Sequence, residues 1–171
     1  MAQAARALDQ ETQALQDREG KYLTFTLAKE DYGLEILKVR EIIGMLDITA
    51  IPQTPSFVKG VINLRGRVIP VLDLRLKFGL PPMDYGERTC IIVVEVATRV
   101  GSVQVGVVVD SVSEVLHVSS DDIEPAPSFG ARVNNNYIMG IAKARGTIKI
   151  LLDIDQVLSP EELSGLEALG N

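Results

Sequence analysis

The chain has one cysteine, Cys90, and one histidine, His117, and a thiol beside an imidazole would make a nucleophile with its base. Each has a plainer use. Cys90 opens the apolar run 90–94 of a candidate strand over 90–96, where a buried thiol is inert, and His117 stands in a candidate strand at 113–118, where an exposed or hydrogen-bonded imidazole is ordinary. The acidic run Asp121, Asp122, Glu124 lacks the alternating oxygen ligands, turn glycine and distal glutamate of a calcium loop, so it reads as a solvated loop or cap. Between Gly60 and Gly66 no Lys-Ser/Thr pair follows the glycines and no long helix adjoins them, which excludes a phosphate cradle. No catalytic group, cofactor or metal site is expected.

The remaining polar candidates suit contact with another protein. Val39 and Glu41 face the same way on an extended backbone, so together they would offer one apolar and one acidic group. Arg65 precedes Gly66 at a hairpin bend, where it is either a solvated turn residue or a guanidinium held rigidly for a partner. Arg65, Arg67, Arg75 and Lys77 form a local basic cluster in a chain of net charge −6. That balance, with 5% aromatics and no Trp, argues against a nucleic-acid groove and favours an acidic protein surface as partner.

These residues must be positioned by strands. The 171 residues, 46% hydrophobic, can bury a sizeable core. The lone cysteine rules out an internal disulfide framework and fits a reducing, cytoplasmic setting; no stretch resembles a secretion signal or a membrane span, so no direct membrane insertion is expected. Residues 21–27 alternate Leu23, Phe25, Leu27 with Tyr22, Thr24, Thr26, the period of a half-buried strand. Residues 61–73 read as a hairpin turning at Arg65-Gly66, and 90–96, 103–109, 113–118, 137–144 and 147–153 as further strands. Thr54-Pro55 predicts a short helix stopped at Gly60, and Ser159-Pro160-Glu161-Glu162 a capping box before a terminal helix in 159–171. Residues 1–19 form a polar tail.

The sequence also contains one unit twice. Gly60, Arg65, Gly66, Leu72 and Asp73 recur 80 residues later as Gly140, Arg145, Gly146, Leu152 and Asp153. The segment from Tyr32 to Ile43 parallels that from Val105 to Leu116 at an offset of 73, and Pro55-Ser56-Phe57 parallels Pro127-Ser128-Phe129 at 72, with an insertion near 132–136. Two units, about 21–78 and 89–158, joined by 79–88, are expected, each with about five strands in a small barrel and a binding groove between them.

With these residues in hand, the chain closely resembles the CheW family of bacterial chemotaxis coupling proteins. The resemblance is carried by 21–27, 32–42, the stretch Thr54-Pro55-Ser56-Phe57-Val58-Lys59-Gly60 with Asn63-Leu64-Arg65-Gly66, then 68–75 and 105–116, covering about 20–160. It implies a mainly β fold of two five-stranded SH3-like barrels with short helices and a C-terminal helix. It further implies a non-enzymatic, free-standing adaptor that binds the cytoplasmic tip of chemoreceptors and the regulatory domain of the histidine kinase CheA at membrane-associated receptor arrays. Val39, Glu41 and Arg65 fall on the family's receptor-coupling positions, Asn63 belongs to the same hairpin signature, and the kinase surface falls on the second barrel. A barrel binding a small ligand between the units is the alternative.

Overall fold

In the computed structural model, residues 18–126 and 136–169 are described. Eleven strands among them make two sheets: β1 (Gly20–Leu27), β2 (Glu30–Glu35), β3 (Val39–Gly44), β4 (Val58–Leu64), β5 (Arg67–Asp73), β6 (Cys90–Thr98), β7 (Gly101–Val109), β8 (Ser111–Val118), β9 (Ile123–Glu124), β10 (Ile138–Ala144) and β11 (Thr147–Leu152). The helices are α1 (Leu74–Lys77), α2 (Ile154–Val157) and α3 (Pro160–Leu169). Mainly β architecture with few short helices and a C-terminal helix is therefore found as expected.

The sheets cut across the sequence copies. The six-stranded order β8-β1-β2-β11-β10-β9 joins β1 and β2 of the first copy to strands of the second, and the five-stranded order β3-β6-β7-β5-β4 joins β6 and β7 of the second copy to strands of the first. Each copy thus lends its leading hairpin to the other. The exchange is made through two parallel pairings, β2 with β11 and β5 with β7. Leu151 stands opposite Gly33, and Val71 opposite Gly106, which are the same two positions at offsets of 80 and 73.

Those glycines are required by close approach. A Cβ on Gly33 would sit 3.0 Å from Leu151 Cδ2, and one on Gly106 would sit 2.8 Å from Ile91 Cγ2 and 3.3 Å from Val71 Cγ2. The ladders leave each sheet open at its ends, and the chain itself spans the gap. β8 runs through a 3-10 turn at Ser120–Asp122 into β9 on β10, and the segment after β3 returns to pair Thr49 with Val61 of β4. These are SH3-like barrels with one incompletely bonded seam each.

Apolar alternation fills three cores. The largest collects Leu23, Phe25 and Leu34 from one sheet with Ile92, Val94, Val105 and Val107 from the other, so the sheets share an interior. Smaller clusters lie inside each barrel, around Ile62, Val71, Ile91 and Val108, and around Tyr22, Ile123, Ala142 and Leu151. Phe25, Tyr32, Phe78 and Tyr137 stack in series with ring centroids 5.0–6.0 Å apart across the shared region.

Local sequence signals explain the ends of the elements. Asp73 and Asp153 each accept a hydrogen bond from the N–H two residues on, at 2.9 and 3.1 Å, and open α1 and α2. The capping box is present, with Glu162 N–H donating to Ser159 Oγ at 3.1 Å and Ser159 N–H to Glu162 Oε1 at 2.8 Å.

One expectation is corrected. No helix forms at Thr54: its hydroxyl donates back to Ile51 O at 3.0 Å, and Val58, Lys59 and Gly60 enter β4, whose ladder outcompetes a helix of barely one turn. The Pro127-Ser128-Phe129 match lies outside the described residues, and Tyr137 takes the equivalent of Phe57's backbone position, since Asp73 N–H donates to Phe57 O and Asp153 N–H to Tyr137 O. Residues 80–86 carry no regular structure and are pinned by Tyr85 OH donating to Asp73 Oδ2 at 2.9 Å and Arg75 Nε to Pro81 O at 3.0 Å.

Gly60 and Gly66 separate two reasons for glycine. At Gly60, φ is +139° and a Cβ would lie 2.0 Å from Thr49 O, whereas at Gly66 φ is +85° with open space around it. Gly66→Ala should cost about 1–2 kcal/mol of backbone strain. Gly60→Ala adds a backbone collision and should cost more than about 3 kcal/mol. Urea unfolding of both variants checks this, and equal midpoints would show that the β4 seam tolerates displacement.

Candidate protein-docking surface

Arg65 occupies the first position of the two-residue β4–β5 turn. Its φ is +53° and that of Gly66 is +85°, the two left-handed residues of a type I′ hairpin. The tip holds the guanidinium over β3, with Nη1 donating to Glu41 Oε1 at 2.7 Å and Nη2 to Oε2 at 2.8 Å. β3 and β4 are the two ends of the five-stranded order, so this pair crosses the open seam. Arg65 leaves 71% of its side chain exposed, and an ion pair so wet stabilises the fold little. Its bidentate geometry instead fixes where charge is displayed. Two of the five guanidinium N–H groups are used, leaving donors for a partner.

The other predicted residues take different places. Asn63 is exposed, and its Oδ1 accepts the Gly66 N–H at 2.8 Å, so its polar end serves the turn. Val39 is half-buried against the shared core. Burial along β3 alternates, with Val39, Glu41 and Ile43 half-buried and Arg40, Ile42 and Gly44 exposed, so Val39 and Glu41 do not form the fully exposed face expected. Besides Asn63, Arg65, Gly66 and Arg67, β3 and the hairpin expose Gly44, Arg40, which pairs with Glu95, and the aliphatics Ile42 and Val68. Only the outcome of burial identifies these aliphatics, because in sequence they belong to ordinary strand alternation.

The basic cluster disperses. Arg75 turns inward to Asp110 at 2.6 Å, and Lys77 binds Glu162 at 2.8 Å while lying 4.6 Å from the Phe57 ring centre. Of these four basic residues, Arg65 and Arg67 stay exposed, both on the hairpin. Cys90 lies half-buried on β6 and His117 exposed on β8 of the other sheet. Among the described residues no His, Cys, Asp and Glu group could hold a metal, and no helix is long and apolar enough to cross a membrane. A groove of about 500 Å³ between residues 51–58 and α3 is open and mostly apolar, with Glu161 and Glu162 at its edge.

The second copy repeats the surface chemistry. Arg145, with φ +52°, contacts Glu114 across the seam of the six-stranded sheet, but through one contact of 3.4 Å. Ile42 and Val68, 44% and 52% exposed, have their counterparts in Val115 and Ile148 at 48% and 61%.

The description CheW-like domain matches residues 21–162. The chain belongs to the CheW family. It is 44% identical over 144 residues to the chemotaxis protein CheW of Klebsiella aerogenes, covering 84% of each chain, and 35% identical to that of Rhizobium meliloti, covering 82% of this chain and 88% of the other. The scaffolding protein TtCheW from Thermoanaerobacter tengcongensis superposes with a TM-score of 0.74 at 35% identity, over 84% of this chain and 97% of that one. The chain is accordingly a chemotaxis scaffolding protein of mainly β fold and not an enzyme.

Hydrogen bonds from Arg65 hold the Glu41 carboxyl below its ordinary pKa, outweighing the opposing effect of desolvation. A depressed carboxylate supports the fold above its unfolded pKa, and that support disappears as pH falls through the folded value. In Arg65→Ala, Glu41 should titrate at higher pH, as read from carboxyl chemical shifts. An unchanged titration would show that the pair does not persist in solution.

Proposed function

We propose that this chain couples chemoreceptors to the histidine kinase CheA, meeting the receptor's cytoplasmic tip through β3 and the β4–β5 hairpin and the kinase's regulatory domain through the second barrel. The adaptor works in the cytoplasm at membrane-associated receptor arrays. The carrying observation is the Arg65–Glu41 pair, which is bidentate, exposed and placed on a rigid turn across a barrel seam. It contributes little to folding, so such exact placement is best accounted for by recognition.

Exposed Ile42 and Val68 supply the apolar part. Ile42 follows Glu41 in β3, and Val68 stands opposite Asn63 in the hairpin register. An interface of this kind draws its affinity from a few anchors, with charge fixing register. Val39 acts from beneath, as a half-buried support of β3 on the core, and Asn63 acts through the turn.

The duplication provides an internal control, because Arg65 and Arg145 hold equivalent turns. Arg65→Ala should leave the melting curve nearly unchanged yet weaken ternary assembly with receptor and kinase by more than about tenfold. Glu41→Ala should match it, and Arg145→Ala should affect receptor coupling much less. Co-sedimentation and receptor-stimulated kinase activity measure this. Wild-type coupling by folded Arg65→Ala would overturn the assignment, and equal defects at Arg65 and Arg145 would reveal a shared structural role.

A further inference from the structure

The two hairpins are one backbone design carrying different side chains three residues before the turn glycine. In each, a two-residue loop with both φ positive joins strands whose last ladder pairs are Leu64 with Arg67 and Ala144 with Thr147. A turn of this type leaves the N–H groups of its central residues outside the ladder. In the first hairpin Asn63 collects one of them, its Oδ1 accepting from Gly66 at 2.8 Å. In the second the same position is Lys143, whose ammonium goes to Glu124 at 2.7 Å. An ammonium has donors only and cannot accept a turn N–H.

The difference at this position accompanies a difference at the tip. Arg65 reaches Glu41 with two bonds of 2.7 and 2.8 Å, whereas Arg145 reaches Glu114 with one contact of 3.4 Å. The strands, turn class and φ of the arginine are otherwise matched, at +53° and +52°. We infer that Asn63 is a positioning residue: by holding the Gly66 N–H it fixes the left-handed turn so that the Arg65 guanidinium meets both oxygens of Glu41. Asn63 thereby shapes the proposed docking surface through the turn. The inference rests on the reading of Arg65 and Glu41 as that surface only where partner binding is concerned.

The test compares Asn63→Ala with Asn63→Asp, since an aspartate oxygen can still accept the Gly66 N–H. In the free protein, Asn63→Ala should speed hydrogen exchange at the Gly66 amide by about fivefold and move the Glu41 titration upward, with the melting midpoint little changed. Asn63→Asp should keep Gly66 exchange near wild type. In receptor–kinase assembly, Asn63→Ala should lose about threefold to tenfold in affinity and Asn63→Asp should recover most of it. Wild-type Gly66 exchange and Glu41 titration in Asn63→Ala would overturn the inference, as would failure of Asn63→Asp to restore the protection. If the free-protein effects appear while Arg65→Ala couples normally, the positioning role stands and the docking role of the pair falls.

Discussion

Everything in this molecule hangs on two parallel strand pairings, β2 with β11 and β5 with β7. Each joins a strand of one sequence copy to a strand of the other, so neither copy completes a sheet without its sibling. The approach is possible because Gly33 and Gly106 present no side chain where Leu151, Ile91 and Val71 press in. Once the leading hairpins are exchanged, the inward faces of both sheets meet, and the residues between them become the shared core. In a duplicated barrel built this way, burial at the exchange stabilises both halves together.

A barrel closed by hydrogen bonds needs no cross-seam side chains, whereas a barrel with an open seam must manage two strand edges. Here the seam lies between β3 and β4 in one barrel and between β8 and β10 in the other, partly spanned by the returning chain. Each seam carries a Glu–Arg pair and two exposed aliphatics, which guards the edge while leaving polar groups and apolar surface available. The fold therefore places its ion pairs and exposed aliphatics at the seams as a by-product of incomplete closure. Strand edges, hairpin tips and these exposed groups coincide.

Much of this was legible in the sequence, and the parts that were not share a cause. The Arg-Gly turn, the β10–β11 strands, the Ser159 capping box and the repeat offsets of 80 and 73 are local or self-similar signals, and the structure aligns the copies at those offsets. The family resemblance pointed to Glu41 and Arg65, which meet. The exchange of hairpins left no mark, because strand partners are a long-range choice that periodicity does not encode. Alternation on β3 holds, with Val39 and Glu41 half-buried and Arg40 and Ile42 exposed, but which of the two faces turns outward depends on distant packing that the residue types do not encode. The basic cluster dissolved because spacing in sequence gave no information on Asp110 and Glu162, the distant carboxylates that draw Arg75 and Lys77 inward.

The two copies have diverged at buried positions as well as at the hairpin tip. Ile69, buried in the first barrel's core, corresponds to Lys149 in the second, and Lys149 Nζ reaches Asp31 at 3.0 Å across the parallel pair. A buried ammonium tolerates only the register that supplies its carboxylate, since a one-residue slip would strand it in apolar surroundings. Thr24 likewise anchors β8, its hydroxyl donating to Glu114 O at 2.8 Å and accepting Glu114 N–H at 3.1 Å, where the equivalent position on β6 is the apolar Val93. The second barrel thus spends polar groups on fixing its own strands, and the first spends Asn63, Glu41 and Arg65 on shaping its exposed tip. Specificity between two partners is a difference of affinities, and divergence of duplicated surfaces is the direct way to create that difference without altering the fold.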